Sequence, residues 1–186
     1  MPINFDLEEI RSRFDCKNYF ETGLCDPRLN VSCKKALVCN FDRVYSIDLC
    51  SEYIRLGKEI FKDHPHLTLI NDDSNNIGNY LGSIFFRERT FFFLDAHVDD
   101  PKLTGYKNRC PIFNELTAIG KMNRKDHIIC VDDLRIFRLE NPWEETSYGK
   151  IDYIEKIKEM ILGINSEYKF TYLDGHEKGD VLMAFI

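Results

Sequence analysis

No apolar run in this chain approaches the length of a membrane span, so a membrane-embedded protein is not expected. No block of lysine and arginine stands out, and the formal net charge is -6. Holding nucleic acid by its phosphates needs clustered cations, so that class of partner is disfavoured. Seven cysteines are present, an odd number, and no Cys-x-x-Cys pair occurs among them. That makes a disulfide framework and a structural zinc site poor readings, and favours buried free thiols in a reducing, cytoplasmic setting. Residues 1–13 are acidic and lack an apolar h-region, so no secretory signal is expected. The Gly-x-Gly-x-x-Gly dinucleotide fingerprint is missing, which weighs against a nicotinamide enzyme. There is no internal repeat and no low-complexity segment.

What is present is enough for a real core. The chain has 186 residues, 44% of them hydrophobic, which suits one domain spanning 1–186. Short β-rich runs alternate with longer helical stretches. Strands are predicted at Tyr19–Glu21, Arg43–Leu49, Leu67–Asn71, Thr90–Leu94 and His127–Val131. The intervening helices are Val31–Val38, Ser51–His64, Ile77–Phe86 and Ile112–Met122. An amphipathic helix over Ile151–Ile164 precedes two last strands, Tyr168–Leu173 and Asp180–Ile186. Alternation of this kind predicts a mostly parallel sheet with helices on both faces. The last two strands are joined by the short Asp174–Gly179 turn. They should be antiparallel neighbours, because a parallel pair needs a crossover. Two polar segments, Val98–Arg109 and Leu134–Lys150, are placed to wall or cover a site.

The chemistry gathers at the strand ends. Glu21, Asp48, Asp95 and the pair Asp132-Asp133 close four strands, and Asp72-Asp73 follows another. In open α/β sheets, ligands bind beyond the carboxyl ends of the strands. Gly23 permits a tight turn and close approach after the first strand. Asp48 could accept both hydroxyls of a ribose, since a carboxylate offers two acceptor oxygens. Three carboxylates converging in one crevice repel each other unless protons or a cation neutralise them, and hard oxygen donors suit Mg²⁺ or a similar ion.

Glu21-Thr22-Gly23, Ser46-Ile47-Asp48, Asp73-Ser74, Leu94-Asp95-Ala96-His97 and Val131-Asp132-Asp133 occur in the order and spacing of the class I S-adenosylmethionine-dependent methyltransferases. The sequence resembles that family from about Tyr19 to Ile186. The resemblance implies a Rossmann-like α/β methyltransferase fold: a central, mostly parallel seven-stranded sheet with an antiparallel C-terminal strand. It also implies S-adenosylmethionine as cofactor. Glu21, Thr22 and Gly23 would form the cofactor turn, Asp48 would hold the ribose, Asp73 and Ser74 would lie near the adenine, and Asp95 beside the methionine part. The acids are also similar to those of metal-dependent O-methyltransferases acting on sugars or catechols. By that likeness Asp95, Asp132 and Asp133 would hold a divalent cation, with Asp95 and His97 catalytic and His97 the base. The family turn usually has a second glycine where Pro27 stands here.

Each residue also has a plainer role open to it. Gly23 could serve an ordinary turn, Asp48 could cap the helix that follows it, and Asp73 could stabilise its own turn. The acidic trio could be a solvated face, and His97 a structural histidine. His64, His66, His127 and His176 read as structural or solvent-facing, and Trp143 as lid packing, with Tyr148 and Trp143 able to stack on a sugar. The expected function is methylation of a hydroxyl on a small or glycan acceptor. The alternatives are a catalytically silent domain of the same fold, which Pro27 would suit, and a different nucleotide-using Rossmann-like enzyme. Nothing in the sequence fixes an oligomeric state.

Overall fold

A computed structural model describes residues 3–29, 31–82, 84–97, 110–139 and 151–186. Seven strands make one sheet: β1 Asn18–Thr22, β2 Arg43–Asp48, β3 Leu67–Asn71, β4 Thr90–Leu94, β5 Ile128–Val131, β6 Lys169–Leu173 and β7 Val181–Phe185. Their spatial order is β3-β2-β1-β4-β5-β7-β6. Pairings among the first five strands are parallel, and β7 runs antiparallel to both β5 and β6. The antiparallel pair expected from the short last connection is therefore present. Strands β2 and β3 lie on one side of β1, and β4 and β5 on the other. The order thus reverses between β1 and β4, and the crevice at a switch point opens beyond the carboxyl ends of those two strands.

The helices are α1 Leu7–Arg13, α2 Ser32–Val38, α3 Ser51–Ile60, α4 Ile112–Gly120, α5 Leu134–Phe137 and α6 Tyr153–Ile164. Alternate residues of the buried strands feed two cores. Phe20, Phe92 and Ile129 pack with Leu116 and Ile119 of α4 and Ile157 and Ile161 of α6. Tyr19, Phe91 and Phe93 pack on the opposite face with Leu7 of α1, Ala36 of α2 and Ile54 of α3. This period-two division explains why β4 and β5 are almost uninterruptedly apolar: both faces are covered. Truncating an interior phenylalanine such as Phe92 to alanine would cost about 3–5 kcal/mol.

Several boundaries depart from the sequence reading. The helix expected over Ile77–Phe86 is replaced by two 3₁₀ segments, Ser74–Asn79 and Ile84–Arg87. Gly78 and Gly82 weaken an α-helix there, and Asp73 caps the first segment by accepting from the Asn75 amide at 2.9 Å. Helix α1 was not anticipated. Its signal was Asp6, whose carboxylate accepts from the Glu9 amide at 2.8 Å. The polar segment Leu134–Lys150 begins as a short helix whose Leu134 and Phe137 are buried, so its start belongs to the core. Residues 98–109 and 140–150, with Trp143 and Tyr148, lie outside the described residues. Among the described residues, no helix is long and apolar enough to cross a membrane.

Candidate active site

The turn after β1 is shaped by close backbone approach. Gly23 has φ +87°, and a Cβ there would sit 2.8 Å from the Asp95 carbonyl oxygen. What crowds this glycine is the end of β4, which also donates the Asp95 amide to the Thr22 carbonyl at 3.1 Å. The glycine therefore serves first to let two strand ends meet. Cys25, two residues on, also has a positive φ of 60°.

Asp48 ties this turn to β2. One carboxylate oxygen accepts from the Cys25 amide at 2.8 Å and the other from the Cys50 amide at 2.7 Å. The helix-start role and a link to the turn are thus both realised. The Leu24 amide bonds the same carboxylate as well. Burial pushes the Asp48 pKa up, and these amides oppose the shift.

Glu21 lies elsewhere than the crevice. Its carboxyl group is fully buried on the α2 face of the sheet, where it accepts from Tyr19 Oη at 2.9 Å and from the Ser32 and Ser46 hydroxyls at 2.6 Å each. Strand alternation explains this: Glu21 shares the face of Tyr19, and Thr22 takes the opposite one. Glu21 braces β1, β2 and α2 beneath the turn.

Thr22 and Ser74 are held from above by Glu115, which sequence reading passed over. Its carboxyl is buried and hydrogen-bonded to the Ser74 and Thr22 hydroxyls, while Oε1 has no hydrogen-bond partner. Burial pushes its pKa up to about 8. Its signal was spacing: Ile112, Glu115, Leu116 and Ile119 fall on one face of α4, so the single acid among apolar neighbours points inward.

The second half of the crest is crowded with acid. Asp95, His97, Glu115, Asp132 and Asp133 line a small cavity of about 10 Å³. That is room for about one water molecule or ion. Asp132 and Asp133 are 2% and 3% exposed, and each has an Oδ2 without a hydrogen bond. His97 Nδ1 lies 3.4 Å from Asp133 Oδ2. Asp133 holds a left-handed backbone, φ +61°, at the start of α5. Burial and the neighbouring Asp133 charge push Asp132 up to about 6, and burial with the Asp132 charge pushes Asp95 upward.

A cation from the chain itself already meets part of this charge. Arg135 pairs with Asp133 and with buried Asp180, and its amide donates to Asp180 at 2.8 Å. Neither Arg135 nor Asp180 was singled out from sequence. The donor set nonetheless fits a divalent ion. Asp95, His97 and Asp133 each offer a ligand atom within 4.8 Å of the others, and Asp132, Asp133 and Asp180 form a second such group. The expected trio is therefore split, with Asp133 common to both groups. Arg135 occupies the second group, which leaves the first as the better cation site. His127, by contrast, is structural as read: it is buried, its Nδ1 accepts from the Thr90 amide at 3.1 Å, and burial lowers its pKa to about 4.

This strand order, with one antiparallel strand inserted beside the last parallel one, is the class I methyltransferase fold. Solved structures similar to the chain bear that out. A Staphylococcus aureus protein provisionally called a caffeoyl-CoA O-methyltransferase superposes with a TM-score of 0.60 at 11% identity, over 99% of this chain and 85% of that one. An O-methyltransferase of Bacillus cereus, in complex with SAH, gives 0.57 at 12% identity, over 97% and 78%. An rRNA methylase of Streptococcus thermophilus gives 0.53 at 10% identity, over 92% and 87%. No family model matches the sequence, and no curated protein matches it.

Proposed function

We propose that the chain is an S-adenosylmethionine-dependent methyltransferase acting on a hydroxyl of a small or sugar acceptor, with a divalent ion at the acidic end of the crevice. The observation that carries this reading is the placement of the Gly23 turn and the Asp48 carboxylate beside the Asp95–His97–Asp133 cluster at one switch point. The similar Bacillus cereus structure, an O-methyltransferase complexed with SAH, supports the cofactor class. An rRNA methylase shares the fold. The charge of -6 favours a small acceptor over nucleic acid.

Asp48 would receive the ribose hydroxyls while keeping the Cys25 turn in place. Asp73 and Ser74 would border the adenine. A contact at Thr22 or Ser74 requires Glu115 to share those hydroxyls or to give way. Glu21 supports the cofactor turn from beneath without touching the cofactor. Asp95 and Asp133, beside His97, would hold the ion, which when bound supplies charge that makes a neighbouring hydroxyl more acidic. Asp133 orients the His97 imidazole from its Nδ1 side, and Nε2 would take the acceptor's proton. The crevice then contributes orientation of the acceptor oxygen towards the methyl group. The test begins with calorimetric titration of S-adenosylhomocysteine into the wild-type chain and Asp48→Ala. Binding should weaken by about tenfold or more in the variant. Methyl transfer to a panel of sugars and catechols follows, with and without chelator. Loss of rate in His97→Ala without loss of cation affinity marks a base, and loss of both marks a ligand. Absence of any heat with the homocysteine product overturns the reading, and leaves the silent binding domain that Pro27 would suit.

A further inference from the structure

We propose that a second cavity, between the Ser74–Asn79 segment and α4, binds a small phosphate ester with a hydroxyl-rich body, of the sugar-phosphate or nucleotide class. Its volume is about 510 Å³. Pockets for small molecules span roughly 300–1,000 Å³. The cavity exists because the β3–β4 connection is two short 3₁₀ segments in place of a continuous helix. At that crossing Gly78 would bring a Cβ only to 3.5 Å from Ala118 Cβ, and a Cβ on Gly82 would meet nothing within 4 Å.

The lining is chemically divided. Helix α4 presents Asn114, Thr117, Ala118 and Lys121 to the cavity. Their spacing of three, four and seven places them on one helical face, spanning about 10 Å along the axis. Asn75 lines the same end as Asn114, whose Nδ2 donates to Asn75 Oδ1 at 2.6 Å, and Asn76 and Asn79 of the same segment also line the cavity. Side-chain amides both donate and accept, which is what a row of hydroxyls requires.

At the far end the lining turns cationic, with Arg87, Lys121 and Arg124. Arg124 shares the single carboxylate of Asp126 with Arg89, so that trio keeps a net positive charge. Arg87 and Lys121 are exposed, and neither has an ion-pair partner among the described residues. Among the described residues the lining contains no aspartate or glutamate, although acids outnumber bases 31 to 25 in the chain. An end rich in amides and an end rich in guanidinium and ammonium groups match a hydroxylated body carrying one phosphate.

The inference is independent of the crevice chemistry. Its test is calorimetry on the full chain with a hexose phosphate, a nucleoside monophosphate, inorganic phosphate and an unphosphorylated hexose, with the crevice saturated by S-adenosylhomocysteine. At least one ester should bind saturably and about tenfold or more tighter than inorganic phosphate or the free sugar. The two ester arms distinguish the sources. Arg87→Glu with Lys121→Glu should abolish that difference without moving the melting temperature of the free protein, since both side chains are exposed. Asn114→Ala should weaken the esters and leave inorganic phosphate unchanged. Ester binding unaltered by the double charge reversal overturns the proposal. So does the absence of saturable heat up to about 10 mM ester, a range weaker than ordinary ligand affinities, and so does saturable binding of an RNA oligonucleotide alone.

Discussion

Glu21 and Asp133 are both buried carboxyl groups at the ends of parallel strands, but their surroundings differ. Glu21 accepts from three hydroxyls, and Asp48 on the next strand accepts from two amides. Across the switch point, Asp132, Asp133 and Glu115 each retain a buried oxygen without a hydrogen bond. Burying an acceptor without a partner costs about 1–3 kcal/mol. The first half of the crest therefore spends its acids on holding the turn in shape. The second half keeps acids under strain, with a left-handed Asp133 and buried oxygens left without a hydrogen bond. The acids that brace the turn are satisfied by the chain; those across the switch point are not.

The largest expected effect lies where the halves touch. Gly23→Ala combines an unfavourable φ with a backbone collision against Asp95, and should cost about 3 kcal/mol in urea denaturation. A near-neutral result would mean that the two strand ends can separate cheaply, and the contrast between the halves would lose its boundary.

Next is a paired comparison. Glu21→Ala strands three buried hydroxyls and should also cost about 3 kcal/mol, at about 1 kcal/mol each. Asp132→Asn removes a charge that burial and the neighbouring Asp133 both disfavour, and should change stability by under about 1 kcal/mol or raise it. Equal losses in the two variants would erase the distinction.

Acidity gives a third measure. The folded-state pKa of Glu115, about 8, lies above its ordinary 4.5. Its contribution to stability is therefore full below about pH 4.5 and is lost as pH rises towards 8, at a limiting slope of roughly 1.4 kcal/mol per unit. Glu115→Gln, neutral throughout, should flatten the fall in melting temperature between about pH 5 and 8. His127, lowered to about 4 by burial, acts with the opposite sign, and its contribution is lost as pH drops from 6.5 towards 4. If Glu115→Gln melts with the wild-type pH slope, that carboxyl does not titrate in this window.

The smallest expected shift concerns the cation. Millimolar Mg²⁺ or Mn²⁺ should raise the melting temperature by a few degrees, following the mass-action gain of about 1–3 kcal/mol for a ligand in excess of its Kd. Asp133→Asn should remove the shift, and Asp48→Asn should not. A shift surviving in Asp133→Asn would move the site off the acidic half.

Much of this arrangement is readable from the residues, because periodicity reports on burial. The apolar runs of β4 and β5 mark strands covered on both faces, and the short turn before β7 marks the antiparallel pair, while the strand order rests on the family resemblance. Side-chain direction within the site is harder. Glu21 follows the face of Tyr19, a matter of parity that a motif does not encode. Glu115 sits in a helix whose local pattern shows an inward acid without showing what it meets. Arg135 reaches Asp180 across 45 residues, a contact no local spacing reveals. The Ile77–Phe86 stretch misleads for a different reason: its apolar spacing is helical, and two glycines with an Asp73 cap override it.

The position of β7 governs the order in which this sheet can be completed. Strand β6 is joined to the rest of the sheet through β7, which pairs with β5 on its other side. During synthesis β6 emerges first, yet it has no strand to pair with until β7 has followed it. The parallel half, β1 to β5, is by then already available as a template. Closure of the acidic end waits as well, because Asp180, which anchors Arg135, stands immediately before β7. The step that seats the last strand is therefore also the step that gives the Asp133 cluster its internal counter-charge.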